Sequence, residues 1–348
     1  MDFLMGGYSA ELSLARLDEG DGSIEVVASV ETPENASFLA YVPQFSVVYA
    51  TVESGYGDGE SGKIAAYRVR RDSLAPMGTV ESCGAGPCHI GVDAEAGLLT
   101  AANYGGESFV AIRLTRDGEL GEQVACGRHE GSSVMESRQR EPHPHATTFS
   151  PDGRFLYVCD LGTDKVMRYS TESLAAGRTE GAVAAEPQPG SGPRHLDFSP
   201  DGRFAYLVNE LSSTVVAYAF APQDGILSEI QVVPMLPDGF DGESWAAEIQ
   251  VHPKGDFVYA SNRGHDTIAV FKRGGSDGTL ERAGYFDVVG RTPRHFQIDP
   301  SGSWCLVANQ QSDQVVSFRI DPKSGKGTWS GKGVRAKAPS CAIFCRPE

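Results

Sequence analysis

The chain has 348 residues, enough to bury a large core, and carries a formal net charge of −16. That acid excess argues against nucleic acid or an anionic membrane as the main partner and makes any local cluster of arginines conspicuous. Forty-one glycines and twenty prolines, evenly spread, favour many turns over long helices, and no stretch sustains an amphipathic helical period over four turns.

The N-terminus, MDFLMGGYSAEL, has neither a basic flank nor an apolar run long enough for a signal peptide or a membrane span. A cytoplasmic protein is therefore expected. Within it FLMGGY (3–8) reads as an apolar strand without a predecessor.

From residue 36 onward an 18-residue unit recurs without gaps. Its copies are ASFLAYVPQFSVVYATVE from 36, PCHIGVDAEAGLLTAANY from 87, PHATTFSPDGRFLYVCDL from 144, PRHLDFSPDGRFAYLVNE from 193, AAEIQVHPKGDFVYASNR from 246 and PRHFQIDPSGSWCLVANQ from 293. A seventh copy begins at 339 as PSCAIFCRPE and is cut short. The starts lie 46 to 57 residues apart, the period of a four-stranded propeller blade. Positions 4 and 6 of the unit are mostly apolar, which is strand periodicity. Positions 8 to 11 are P-D-G-R or similar, which is turn chemistry, and positions 12 to 17 are again apolar and β-prone. A third strand such as STVVAYAF (213–220) and a fourth follow each unit.

The truncated last copy supplies a first strand and lacks the second, while FLMGGY has no partner before it. The expected fold is all-β: a single seven-bladed β-propeller domain over 1–348, its last blade closed by N- and C-terminal strands. Closure removes the sheet edges that an open array would expose.

Taking position 2 as opposite position 17, and position 1 as opposite 18, both ends of every hairpin open on one side of the ring. Position 2 reads Ser37, Cys88, His145, Arg194, Ala247, Arg294 and Ser340; position 18 reads Glu53, Tyr104, Leu161, Glu210, Arg263 and Gln310. His145, Arg194, Glu210, Arg263 and Arg294 thus gather at one mouth of an acidic protein, and their positive excess points to a small anionic ligand. The bland alternative is that arginine–glutamate pairs merely tie neighbouring blades. The position 3 histidines, His89, His195 and His295, are expected on the other strand face, packing between blades.

His143 and His145 bracket Pro144, but no second pair completes a ligand set, so no metal and no other cofactor is expected. Seven cysteines without a C-x-x-C pair are expected as buried free thiols. Elbow, P-loop, dinucleotide and H-E-x-x-H motifs are absent. SGYGDGESG (54–62) is an acidic turn that would repel phosphate. The insertion 127–143 leads straight to His145; its Arg138 and Arg140 are within reach of a ligand at the mouth, against the plainer reading of a solvated loop.

The words PHPHATTFSPDGRFLYVCDLG, GPRHLDFSPDGRFAYLVNEL, WAAEIQVHPKGDFVYASNRGHD and TPRHFQIDPSG resemble the seven-bladed propeller lactonases, a family of 6-phosphogluconolactonases and carboxymuconate-lactonizing enzymes. The resemblance runs over essentially the whole chain. It implies a metal-independent hydrolase that opens a phosphorylated sugar lactone by general-base attack of water. His145, Arg194 and Glu210 would be catalytic, and Arg263 would hold substrate, with Arg294 beside it. Either Glu210 or His145 would be the base. The same residues would serve a muconate-type cycloisomerase, and a non-catalytic binding propeller is the third reading; a monomer or weak homo-oligomer suits all three.

Overall fold

The computed structural model describes residues 1–57 and 59–347; Asp58, inside the expected turn 54–62, and Glu348 lie outside the described residues. The strands form seven antiparallel four-stranded sheets in a ring. Six blades are consecutive runs of chain, 39–81, 87–128, 144–185, 193–234, 245–287 and 293–335. The seventh is composite: Pro339–Cys345 is innermost, and Asp2–Gly7, Glu11–Leu17 and Ile24–Glu31 follow outward. Phe3 pairs with Phe344 and Leu4 with Ile343, so the N-terminal strand supplies the half that the repeat at 339 lacks. First strands of adjacent blades touch one another around the axis, which places the start of every repeat at the central channel.

The second strands carry the core. Val47–Val52, Leu98–Asn103, Phe155–Asp160, Phe204–Asn209 and Trp304–Asn309 are buried at every residue, because neighbouring blades cover both faces of each sheet. This explains why they read as unbroken apolar runs rather than as alternation. Three tyrosines at position 14 each anchor their blade to the next. Tyr49, Tyr157 and Tyr206 are fully buried and donate to the carbonyls of Gly118, Gly225 and Gly278 at 2.7, 2.7 and 3.0 Å. Such a bond contributes about 1 kcal/mol and spares the phenol an unpaired burial. The P-D-G turns behave as their chemistry dictates: Ser150 Oγ donates to Asp152 at 2.6 Å, and Gly153 takes the positive φ of 67°.

The cysteines depart from expectation. Cys88, Cys159, Cys305, Cys341 and Cys345 are buried free thiols, but Cys83 and Cys126 are joined as a disulfide. They come from the outer ends of adjacent blades, 43 residues apart, and only the blade-to-blade packing brings their Cα atoms to 6.2 Å. Among the described residues no helix is long and apolar enough to cross a membrane.

Candidate active site

The hairpin register differs by one residue from that expected, and the difference builds the site. Position 1 pairs with position 17, not 18: Pro87 with Asn103, Pro144 with Asp160, Pro193 with Asn209 and Pro293 with Asn309. The next paired residue is position 3, so Cys88, His145, Arg194 and Arg294 each sit in a β-bulge. A bulge adds one unpaired residue and re-aims its side chain. Positions 2 and 3 therefore both project toward the axis, where an unbroken strand would have sent them to opposite faces.

Glu210 is the centre of one half of the mouth. Its backbone N–H donates to Gly192 and its carbonyl accepts from Ala246 of the next blade. Its carboxylate receives Arg194 Nε on Oε2 at 3.0 Å, Arg263 Nη2 on the same oxygen at 2.7 Å and Arg138 Nη2 on Oε1 at 2.7 Å. Burial alone would raise its pKa, but Arg263, Arg194 and Arg138 outweigh that and hold the carboxyl well below the usual carboxylate range. Arg194 also donates through Nη1 to the Ala247 carbonyl at 2.6 Å, and its Nη2 has no protein acceptor among the described residues. Burial and the neighbouring Arg263 push the Arg194 guanidinium down to about 10, still a cation at neutral pH. Arg263 Nε and Nη2 bond the carbonyls of Trp245 and Ala246, and Nη1 has no protein acceptor among the described residues.

The insertion before His145 is folded into this half. Gln139 is fully buried, with Nε2 donating to Leu161 at 2.9 Å and its carbonyl accepting from Ser133 at 2.8 Å. Asp160 accepts the His143 N–H at 2.8 Å. Pinned there, the loop delivers Arg138 to Glu210 and to the Tyr104 hydroxyl at 3.2 Å, with its guanidinium over the Trp245 ring. The solvated-loop reading is thus corrected for Arg138; it holds for Arg140, which is exposed and paired with Glu136 at 2.6 Å.

The opposite half is built on Tyr8. Arg294 Nη2 donates to the Tyr8 hydroxyl at 2.8 Å and stacks over its ring, and that hydroxyl donates to Glu53 at 3.0 Å. Burial and Glu53 raise the Tyr8 pKa despite Arg294, so the phenol keeps the proton it donates. Arg294 forms no ion pair, and its Nε and Nη1 have no protein acceptor among the described residues.

His145 lies between the halves. Its ring is 5.6 Å from Tyr104 and 5.2 Å from His195, centroid to centroid. Burial, then the charges of Arg194, Arg294 and Arg263, hold its pKa well below that of a free imidazole. It is therefore neutral at physiological pH, and Nε2 makes no hydrogen bond to protein among the described residues. Cys88 Sγ lies 3.9 Å from Nδ1, but burial raises the thiol, so it does not supply a thiolate.

The position 3 histidines are not between blades as expected. The bulge turns them inward, where His89 stacks on Phe38 at 4.1 Å and lies 4.8 Å from His195 across the channel. His195 and His295 both meet Glu248.

A family model described as lactonase, 7-bladed beta-propeller, matches residues 2–344. The chain belongs to the seven-bladed β-propeller lactonases. Within this lactonase family it is 32% identical over 312 residues to a 6-phosphogluconolactonase of Bacillus subtilis, covering 89% of this chain and 87% of that one. A 6-phosphogluconolactonase of Formosa agariphila is 33% identical over 315 residues, 88% and 87% of the two chains. The structure of a periplasmic gluconolactonase from Pseudomonas aeruginosa superposes with a TM-score of 0.92 at 32% identity, covering 100% of this chain and 99% of that one.

Of the residues singled out in this lactonase-family sequence, Arg194, Glu210 and Arg263 share one half of the mouth, Arg294 stands in the other, and His145 lies between them. Tyr8 and Glu248 were not singled out. Tyr8 was legible: Gly7 pairs with Pro339, so continuing the seventh repeat onto the N-terminal strand makes Tyr8 its position 18.

Proposed function

We propose that this protein hydrolyses a sugar lactone, with 6-phosphogluconolactone as substrate. The observation that carries the reading is the gathering at one mouth of His145, a neutral imidazole within the field of Arg194, and of Arg194 itself, fixed by Glu210. Ester hydrolysis needs a base for water and a donor for the carbonyl oxygen, and these two groups supply them.

In this reading His145 Nε2 takes a proton from water as its oxygen attacks the lactone carbonyl carbon. Arg194 Nη2 steadies the oxyanion of the tetrahedral intermediate. Collapse breaks the bond to the ring oxygen, which leaves with the proton held by His145, and the new carboxylic acid ionises. Glu210 is too strongly held as a carboxylate by three guanidiniums to be the base; it orients Arg194 and Arg263. The free nitrogens of Arg294, with Arg263 Nη1, take the phosphate as a forked donor set. Both relatives named above as 6-phosphogluconolactonases support the phosphorylated substrate.

The test is turnover of the His145→Gln and Arg194→Ala variants. Loss of an oxyanion donor lowers kcat by about 100- to 1,000-fold. Turnover within twofold of the wild type in both variants would discard these roles.

A further inference from the structure

Under the mouth lies a buried acid that the proposed chemistry does not use. Glu248, 7% exposed, enters the channel from the fifth blade. Its oxygens lie 3.1 and 3.2 Å from His195 Nδ1, and Oε2 is 3.5 Å from His295 Nε2; Ile249 N–H donates to Oε1 at 3.0 Å. Each histidine is neutral, since burial lowers its pKa and Arg194 adds to the effect. The rest follows from donor and acceptor counting. A carboxylate only accepts, so His195 carries its proton on Nδ1. Its Nε2 is then a bare lone pair, and that atom faces Arg194 Nη1 at 3.1 Å. His295 is fixed in the opposite tautomer, because its Nδ1 accepts the Ala342 N–H at 3.4 Å.

We infer that Glu248 is a positioning residue for Arg194: by holding His195 in the Nδ1–H tautomer it makes Nε2 the acceptor that, with Ala247 O and Glu210, sets the guanidinium plane and aims Nη2 into the mouth. The contacts run from the Glu248 carboxylate through neutral His195 to the Arg194 cation and the Glu210 carboxylate. Were His195 protonated on Nε2, two donors would face each other at 3.1 Å and Arg194 would swing away. Glu248 touches no reacting atom; it acts through His195, and the inference rests on the reading that Arg194 steadies the oxyanion.

Two measurements test it. Glu248→Gln keeps the shape and removes the charge that selects the tautomer. Its kcat on 6-phosphogluconolactone should fall about 10- to 100-fold, as expected for a misaimed donor, with KM within about twofold. Nitrogen-15 NMR of the full-length protein should show His195 as the Nδ1–H tautomer in the wild type and a mixture in Glu248→Gln. An unchanged kcat in a folded variant, or wild-type His195 protonated on Nε2, overturns the inference. If the wild type turns over no lactone, it is the lactonase reading that fails, and the tautomer measurement still judges Glu248. It does so on wild-type protein even if the variant does not fold.

Discussion

Arg194 Nε and Glu210 Oε2 lie 3.0 Å apart at the two ends of one hairpin, 16 residues apart in sequence, and both side chains are nearly inaccessible. Arg263 from the next blade and Arg138 from an insertion 72 residues upstream close on the same carboxylate. One acid therefore holds three cations. Glu210→Gln should cost about 3–5 kcal/mol of stability, because it leaves buried guanidiniums facing one another without their counter-charge. Urea unfolding measures this. The sign with pH follows from the lowered carboxyl: its contribution is fully present above the ordinary glutamate range and is lost only as the solution is acidified through that lowered value. The difference between wild type and variant should therefore shrink in strong acid.

His145 sets the acid side of the rate profile. The active form is the neutral imidazole, and burial with the nearby arginines keeps it neutral below the ordinary histidine pKa. Hence kcat/KM for the lactone should be level from about pH 6.5 to 8 and decline only in more acidic solution. Stopped-flow rates corrected for spontaneous hydrolysis would show this; a limb centred at or above pH 6.5 would contradict it.

Arg294 and Arg194 should separate in kinetics. Arg294→Ala removes an anchor rather than an oxyanion donor, so KM for 6-phosphogluconolactone should rise about tenfold or more while kcat stays within a few-fold. The same change should leave KM for unphosphorylated gluconolactone nearly unaltered.

The ring, the blade count and the composite closure were legible because local chemistry, turn residues at positions 8 to 11 between β-prone runs, recurs in six full copies and the seventh, at 339, is cut short where the N-terminal strand supplies the rest. The site was legible through position, since repeats carry positions 2 and 18 to one mouth. What escaped was set by backbone hydrogen bonding rather than residue type. The bulge at position 2 leaves no mark in the words PRHL or PHAT, yet it turns His195 and Arg194 to the same side. Arg138 lay in a segment with no repeat to give it a position, and its destination depends on the burial of Gln139. The Cys83–Cys126 contact needs the packing of adjacent outer strands.

Asp197 offers a test of blade packing away from the mouth. Its carboxylate accepts the Val251 N–H of the next blade at 2.7 Å, and burial pushes its pKa up to about 7. A raised carboxyl pKa means that the folded state binds the proton more tightly, so stability falls as pH rises from about 4 to about 7. Asp197→Asn keeps an acceptor for Val251 and removes the charge. It should raise stability by about 1–2 kcal/mol at pH 8 and have little effect at pH 4. Tm measured at the two pH values decides this.

The most direct test of the account is the decay of 6-phosphogluconolactone with and without the protein, beside unphosphorylated gluconolactone. Ring opening faster than the blank, with the phosphorylated compound preferred, is the predicted result. Decay of both lactones at the blank rate, in the presence of folded protein, would contradict it.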